Sequence, residues 1–312
     1  MSDFSNPIFH DEAKARKWLE ARLWPDGPIC PHCGTVDEAT LMKGKSTRPG
    51  LYQCNACRKP FTVTVGTLYE RSKIPLHKWL AATHLMMASK KGMSALQVGR
   101  MLGVSKKTAW FLCHRIRESL RDAGPSSLGG EGKTVEADET YIGGKEKNKH
   151  RRRRHSGVGG VGKQPVFALV ERGGSVRSSH IPKIDGRNIG PIMRTLASRK
   201  SALMTDEGGQ YRSIGKEYAR HGKVNHGIEE YVRGDAHVNT AENFFSILKR
   251  GIVGVYHHVS PQHLHLYLAE YDYRYSNREA LGIDDAARMA KSVKGIVGKR
   301  LTYRRADEAP NA

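Results

Sequence analysis

Two Cys-x-x-Cys pairs, Cys30/Cys33 and Cys54/Cys57, stand 20 residues apart and restrict the N-terminal part of the chain more than any other feature. In a reducing compartment such a pattern signals metal before disulfide. Zinc takes four soft ligands in a tetrahedron, and two knuckles supply two thiolates each. A redox Cys-x-x-Cys normally comes singly, so a closed, architectural four-cysteine zinc ribbon is expected. Gly34 after the first pair and Arg58 to Pro60 after the second provide turn chemistry, and "FTVTV" from Phe61 alternates like a strand. The fifth cysteine, Cys113, lies in a helical segment and reads as a small buried apolar residue.

Lys and Arg number 52 against 31 Asp and Glu in 312 residues, a net charge of +21. That excess points to a polyanionic partner. An anionic membrane is the weaker alternative, because no apolar run reaches ~18 residues and no basic helix has a clean apolar face. The N-terminus shows no charged n-region followed by an apolar h-region, so a cytoplasmic protein is expected, nucleoid-associated if the partner is DNA.

Residues 11–24 read as a short helix, ended by Pro25-Asp26-Gly27. From Pro75 three helices follow. The first carries Leu76, Trp79, Leu80, Thr83, Met86 and Met87 at helical spacing, and the second closes at Gly103. The third starts after Ser105, with Ala109, Leu112 and Ile116 as its buried row. Helix, "GVS" turn, helix is helix-turn-helix spacing. The exposed side of the third helix would offer Lys106, Lys107, His114, Arg115 and Arg117 to DNA. "GPSSLGGEGK" reads as a linker. Beyond it come a strand to a Gly-Gly turn, a hairpin turning at Gly173-Gly174, and alternating helices and short strands, the pattern of one mixed sheet in an α/β domain. Helix "NTAENFFSILKRG" is expected to stop at Gly251. The expected organisation is 1–70 zinc ribbon, 71–123 helix-turn-helix, 124–132 linker, 133–290 α/β domain and 291–312 flexible basic tail.

Three carboxylates stand where open α/β sheets place reacting groups: Asp138 in "VEADETYIGG", Asp206 closing "SALMTDEGG", and Glu242 near a helix start. Glu136 and Glu139 flank Asp138, so it is one acid of three. Carboxylates gathered in one place repel unless divalent cations neutralise them, and oxygen-only ligands favour Mg2+ or Mn2+ over zinc. A pair of such ions would support in-line phosphoryl transfer. Lys145 to Arg154 holds seven Lys or Arg and one acid, Glu146. Beside such a site Arg151, Arg152, Arg153 and Arg154 read as a phosphate clamp.

Nearly the whole chain resembles bacterial insertion-sequence transposases of the DDE class with an RNase H-like core, closest to the zinc-ribbon group allied to Merlin elements. The resemblance is carried by "CPHCG", "YQCNACRKPFTVTVGT", "VEADETYIGGK", "TDEGGQY", "HVNTAENFFSILKRG" and "YHHVSPQHLHLYLAEYDYRYSNR". The 35 residues between Asp206 and Glu242 recur as a spacing in that class. The resemblance implies catalytic Asp138, Asp206 and Glu242 holding Mg or Mn. It implies that Lys249, seven residues after Glu242, contacts DNA. It also implies an enzyme that binds the terminal inverted repeats of its element as double-stranded DNA, cuts there and joins the ends to target DNA, as a homo-oligomer. Asn239, one turn before Glu242, is the alternative third ligand, and His237 is either a supporting or a structural group. Two other functions fit the same parts: a zinc-ribbon regulator with an inert α/β domain, and an RNase H-like nuclease or resolvase without strand transfer.

Overall fold

The computed structural model describes residues 4–121, 126–144, 150–153, 160–225 and 232–302. They form two compact units, 1–121 with 283–312, and 122–282.

In the first unit α1 (Glu12–Leu23) starts at Asp11, whose carboxylate accepts from the Lys14 amide. The ribbon follows as an antiparallel sheet of β1 (Ala39–Leu41), β2 (Tyr52–Cys54) and β3 (Pro60–Phe61). The expected strand "FTVTV" stops at Phe61. Beyond it the chain turns, with Val65 N–H on the Thr62 carbonyl and the Thr62 and Thr64 hydroxyls bonded at 3.0 Å. Threonine hydroxyls compete with ladder bonds in this way once no partner strand is present.

Three helices follow: α2 (Leu76–Ala88), α3 (Ala95–Leu102) and α4 (Lys106–Ser119). Gly103 adopts φ +61 to end α3, and the Ser105 hydroxyl caps α4 at the Thr108 amide, as the sequence predicts. Helix α2 is buried beyond its expected stripe, since Ala81, Ala82 and His84 are also covered. Helix α8 (Asp285–Lys294), which packs against α2, α4 and α1, adds to this cover, and the Phe9 ring lies against His84 at 5.0 Å. Residues 283–296 therefore belong to the first unit. The basic tail expected from Lys291 is structured at its start, with Val293 and Ile296 buried.

The second unit is a five-stranded mixed sheet. Its strands are β4 (Thr134–Ile142), β5 (Gln164–Glu171), β6 (Val176–His180), β7 (Ala202–Thr205) and β8 (Arg220–Lys223), ordered β6-β5-β4-β7-β8. The first three are antiparallel, while β7 pairs parallel to β4 and β8 parallel to β7. An antiparallel trio extended by two parallel strands on its first strand is the RNase H-like arrangement. Alternate residues of β4 and β5 face opposite layers. Val135, Ala137, Phe167 and Leu169 pack with α5 (Gly186–Leu196). On the other face Ile142, Val166, Ala168 and Val170 pack with α6 (Asn239–Gly251) and α7 (Pro261–Ser276). Leu128, inside the expected linker, is buried in the α5-side core and bonds Leu196 through its amide. Helix α6 does not stop at Gly251 but continues as a π-helix, Ile252–Tyr256, ending at His257 with φ 59.

Candidate functional site

The registers of β4 and β7 explain how two acids meet. Glu136 pairs with Met204 across the parallel ladder. Asp138 lies two residues further along β4, and Asp206 lies the same two residues past Met204 as the first residue beyond β7, so the parallel register carries both acids to the same level. Strand β7 ends at Thr205, which leaves β4 open on that side. Through this opening Glu139, from the opposite face of β4, joins them. Oxygens of Asp138, Glu139 and Asp206 all lie within 4.8 Å of one another. Glu139 accepts from the Tyr211 hydroxyl at 2.5 Å and from the Gln210 amide at 3.2 Å. Burial pushes its carboxyl up to about 7, and the charges of Asp206 and Asp138 add to this against the Tyr211 bond. Three crowded carboxylates with that protonation preference suit a divalent cation held by hard oxygen ligands.

Glu242 is not in this group. It lies exposed in the first turn of α6, whose start is docked beside Asp138 by Glu136. Helix α6 has no side-chain cap of its own. Instead the fully buried Glu136 carboxylate accepts the Thr240 and Ala241 amides at 2.8 and 2.9 Å and the Thr240 hydroxyl at 2.9 Å. It thus satisfies orphan donors at the positive end of the helix dipole. The Arg172 Nε donates to Glu136 at 2.6 Å, and its other nitrogens hold the Asp235 and His237 carbonyls at 2.9 Å. His237 Nδ1 lies 3.3 Å from Glu136, so it neighbours the anchor rather than the acid group. Asp235 pairs with Arg220. Asn239, Glu242 and Lys249 are all exposed, and seven residues at 100° each leave the last two about 20° apart around the helix.

The four ribbon cysteines are free thiols whose sulfurs lie within 4.8 Å of one another. Cys30 and Cys57 are 3.7 Å apart, Cys33 and Cys54 3.6 Å. A tetrahedron with metal–sulfur bonds of ~2.3 Å has edges of about 3.8 Å, so the set fits one metal ion. Each knuckle is closed by the amide four residues after its first cysteine, Gly34 on Cys30 and Arg58 on Cys54. Those residues take φ +81 and +61.

Residues 127–276 match the ISXO2-like transposase domain, and residues 10–60 match the transposase zinc-ribbon domain. An uncharacterized protein in transposable element ISH50 of Halobacterium salinarum is 30% identical over 260 residues, covering 78% of this chain and 83% of that protein. The chain belongs to the ISXO2-like transposases. A chain in the cryoEM structure of a simian T-cell lymphotropic virus intasome aligns at 14% identity and a TM-score of 0.28, over 57% of the transposase and 63% of that chain, and carries no argument.

The remaining sequence-predicted residues of the transposase separate sharply. Lys106 and Lys107 are exposed at the start of α4. Arg115 is half-buried over the Phe111 ring, 4.7 Å from its centroid, with Nε on the Leu301 carbonyl at 3.3 Å. Arg117 and His114 are buried at 1% and 2% exposure, so the sequence reading that aims them at DNA is corrected. Helix α8 touches α4, and Lys299 and Leu301 bond to its C-terminal half, contacts with distant chain that the local pattern does not contain. Arg151 and Arg152 are exposed and Arg153 continues their short turn, while Lys145–Lys149 and Arg154 fall outside the described residues. No helix among the described residues is long and apolar enough to cross a membrane.

Sequence reasoning missed Glu139 as a member of the acid group, Tyr211 and Gln210 as its holders, and Glu136 with Arg172 as the anchor of α6. Strand alternation places Glu136 on the face of Asp138, a usable signal. Nothing local brings Glu139 around the strand edge.

Proposed function

We propose that the chain catalyses cleavage at the terminal inverted repeats of its insertion sequence and joins the ends to target DNA. The juxtaposition of Asp138 and Asp206 at one level of adjacent parallel strands carries this reading. Asp138, Asp206 and Glu242 would hold Mg2+ or Mn2+, with Glu139 at the edge of the group. When bound, such ions activate a water or 3′-hydroxyl and stabilise the leaving oxygen. Anchoring of α6 on Glu136, two residues before Asp138, supports Glu242 as the carboxylate that completes the set. Lys249, about 10 Å further along the same side of α6, would position the DNA backbone. Arg151 to Arg154 would clamp phosphates nearby. Cys30, Cys33, Cys54 and Cys57 would hold one structural zinc, and Lys106 and Lys107 would meet DNA. Assembly on two DNA ends would call for more than one copy.

The test is incubation of the full chain with a duplex ending in its element's repeats and a target plasmid, with and without Mg2+. Cleaved and joined products that need Mg2+ and vanish in Asp138→Asn are expected. Specific binding without either product would favour the inert regulator, and cleavage without joining the nuclease.

A further inference from the structure

The C-terminal return of the chain builds a feature that neither helix-turn-helix nor ribbon requires. After α8, Ile296 and Gly298 bond back to Leu68 and Gly66 at 3.0 and 2.9 Å, with a bridge between Thr67 and Val297. Lys299 then donates to the last carbonyls of α4, Glu118 and Ser119 at 3.2 Å and also Arg121, the favourable end of the dipole for a cation. That clamp fixes the segment 298–302 alongside α4. The segment walls one side of a cavity of about 250 Å³, and a second cavity of about 390 Å³ between the 71–74 loop and α4 adjoins it, the two sharing Arg71 and Arg115.

The charges there are lopsided. Arg71, Arg115 and Arg300 converge with Lys73 and Lys107, against the single acid Glu70. Among the described residues no carboxylate pairs with Arg115 or Arg300. Burial holds the Arg115 guanidinium below its usual range, and the Arg300 charge pushes the same way. Like charges brought together by the fold favour an anion between them. Arg71 adds a second sign. It takes φ +55, a conformation that costs a non-glycine residue about 1–2 kcal/mol. Its side chain is nonetheless 82% exposed, with Glu70 at 3.6 Å as its ion-pair neighbour among the described residues. Packing gives no reason for arginine at that position, whereas an exposed cation for a ligand does.

We propose that this groove, between the 66–74 loop, α4 and the segment 298–302, binds the phosphodiester backbone of duplex DNA. On this view α8 and the C-terminal segment complete a DNA-binding surface beside Lys106. The proposal rests on the DNA reading above. It differs from that reading in making the C-terminal segment, and not α4 alone, part of the surface.

The test compares the parent chain with Arg71→Ala/Arg300→Ala, using a random-sequence DNA duplex, its RNA counterpart, and a salt titration. Both side chains are exposed, and unchanged zinc content and circular dichroism confirm folding. Loss of two phosphate contacts should lower the salt slope by about 1.8 and weaken binding roughly five- to tenfold per residue near ~0.1 M salt. A double variant with the parent's slope and affinity overturns the groove and leaves the DNA reading intact, which Lys106→Ala then probes separately. A parent that binds no duplex overturns the DNA reading itself. Tighter binding of RNA than of DNA overturns the assignment of the ligand.

Discussion

Replacing Glu136 by glutamine separates anchoring from chemistry at the acid group. The carboxylate is fully buried and each oxygen faces two donors: Oε2 the amides of Thr240 and Ala241, Oε1 the Thr240 hydroxyl and Arg172 Nε. Glutamine has the same shape but only one acceptor oxygen. With its NH2 toward α6, two buried amides lose their acceptor, at about 1–3 kcal/mol each. With its NH2 toward Arg172, the Thr240 hydroxyl can turn but the guanidinium loses its partner, at about 3–5 kcal/mol for a broken buried pair. Arg172 keeps the Asp235 and His237 carbonyls, which favours the lower end of that range. Either way the cost is about 3 kcal/mol, near a hundredfold in docking of the α6 start. Urea unfolding should show that loss. Hydrogen exchange at Thr240 and Ala241 should rise, and Mg2+-dependent cleavage should fall because Glu242 and Lys249 lose their placement. Adding Arg172→Met to Glu136→Gln removes the stranded charge and should recover part of the stability. Unchanged unfolding together with cleavage as low as in Asp138→Asn would refute the reasoning, because Glu136 would then act in the chemistry.

Three further outcomes follow from the sites. Purified protein should contain one zinc, and Cys54→Ser should lose it and unfold the ribbon, since structural zinc contributes roughly 10–16 kcal/mol of apparent binding energy; metal analysis of the variant decides, and full retention of zinc would refute the site. Glu242→Gln should abolish cleavage at intact ends while Asn239→Ala leaves most of it; the reverse result would move the third ligand one turn earlier and cost Lys249 its register. In buffer free of added divalent cation, Glu139 should make the fold more stable in acid. Its folded carboxyl sits at about 7, against 4.5 as the reference value, so the proton-linked stability is full below the reference value and is lost as pH rises through about 7. The parent's urea midpoint should fall between about pH 5 and about pH 8 by more than that of Glu139→Gln, and parallel curves would show that the group does not hold its proton.

Local signals carried the sequence reading where the governing interactions are local. The cysteine spacing determined the ribbon, because each knuckle closes over four residues. Ser105 and Gly103 determined the limits of the two helices around the "GVS" turn, because caps and left-handed residues act on the adjoining turn. The Gly173-Gly174 turn between two apolar runs gave the β5–β6 hairpin, and the acids at strand ends pointed to Asp138 and Asp206. The tertiary structure decided what depends on partners far away in the chain. Arg117 is buried by the fold of the first unit, whereas the pattern of α4 alone leaves it facing solvent. Glu136 caps a helix that begins about a hundred residues later, so no reading of the α6 start could supply its missing acceptor. Glu139 reaches the acid group only because β7 ends where it does. Burial and charge proximity at these positions are set by which surfaces meet. The sequence constrains those meetings only through the fold as a whole.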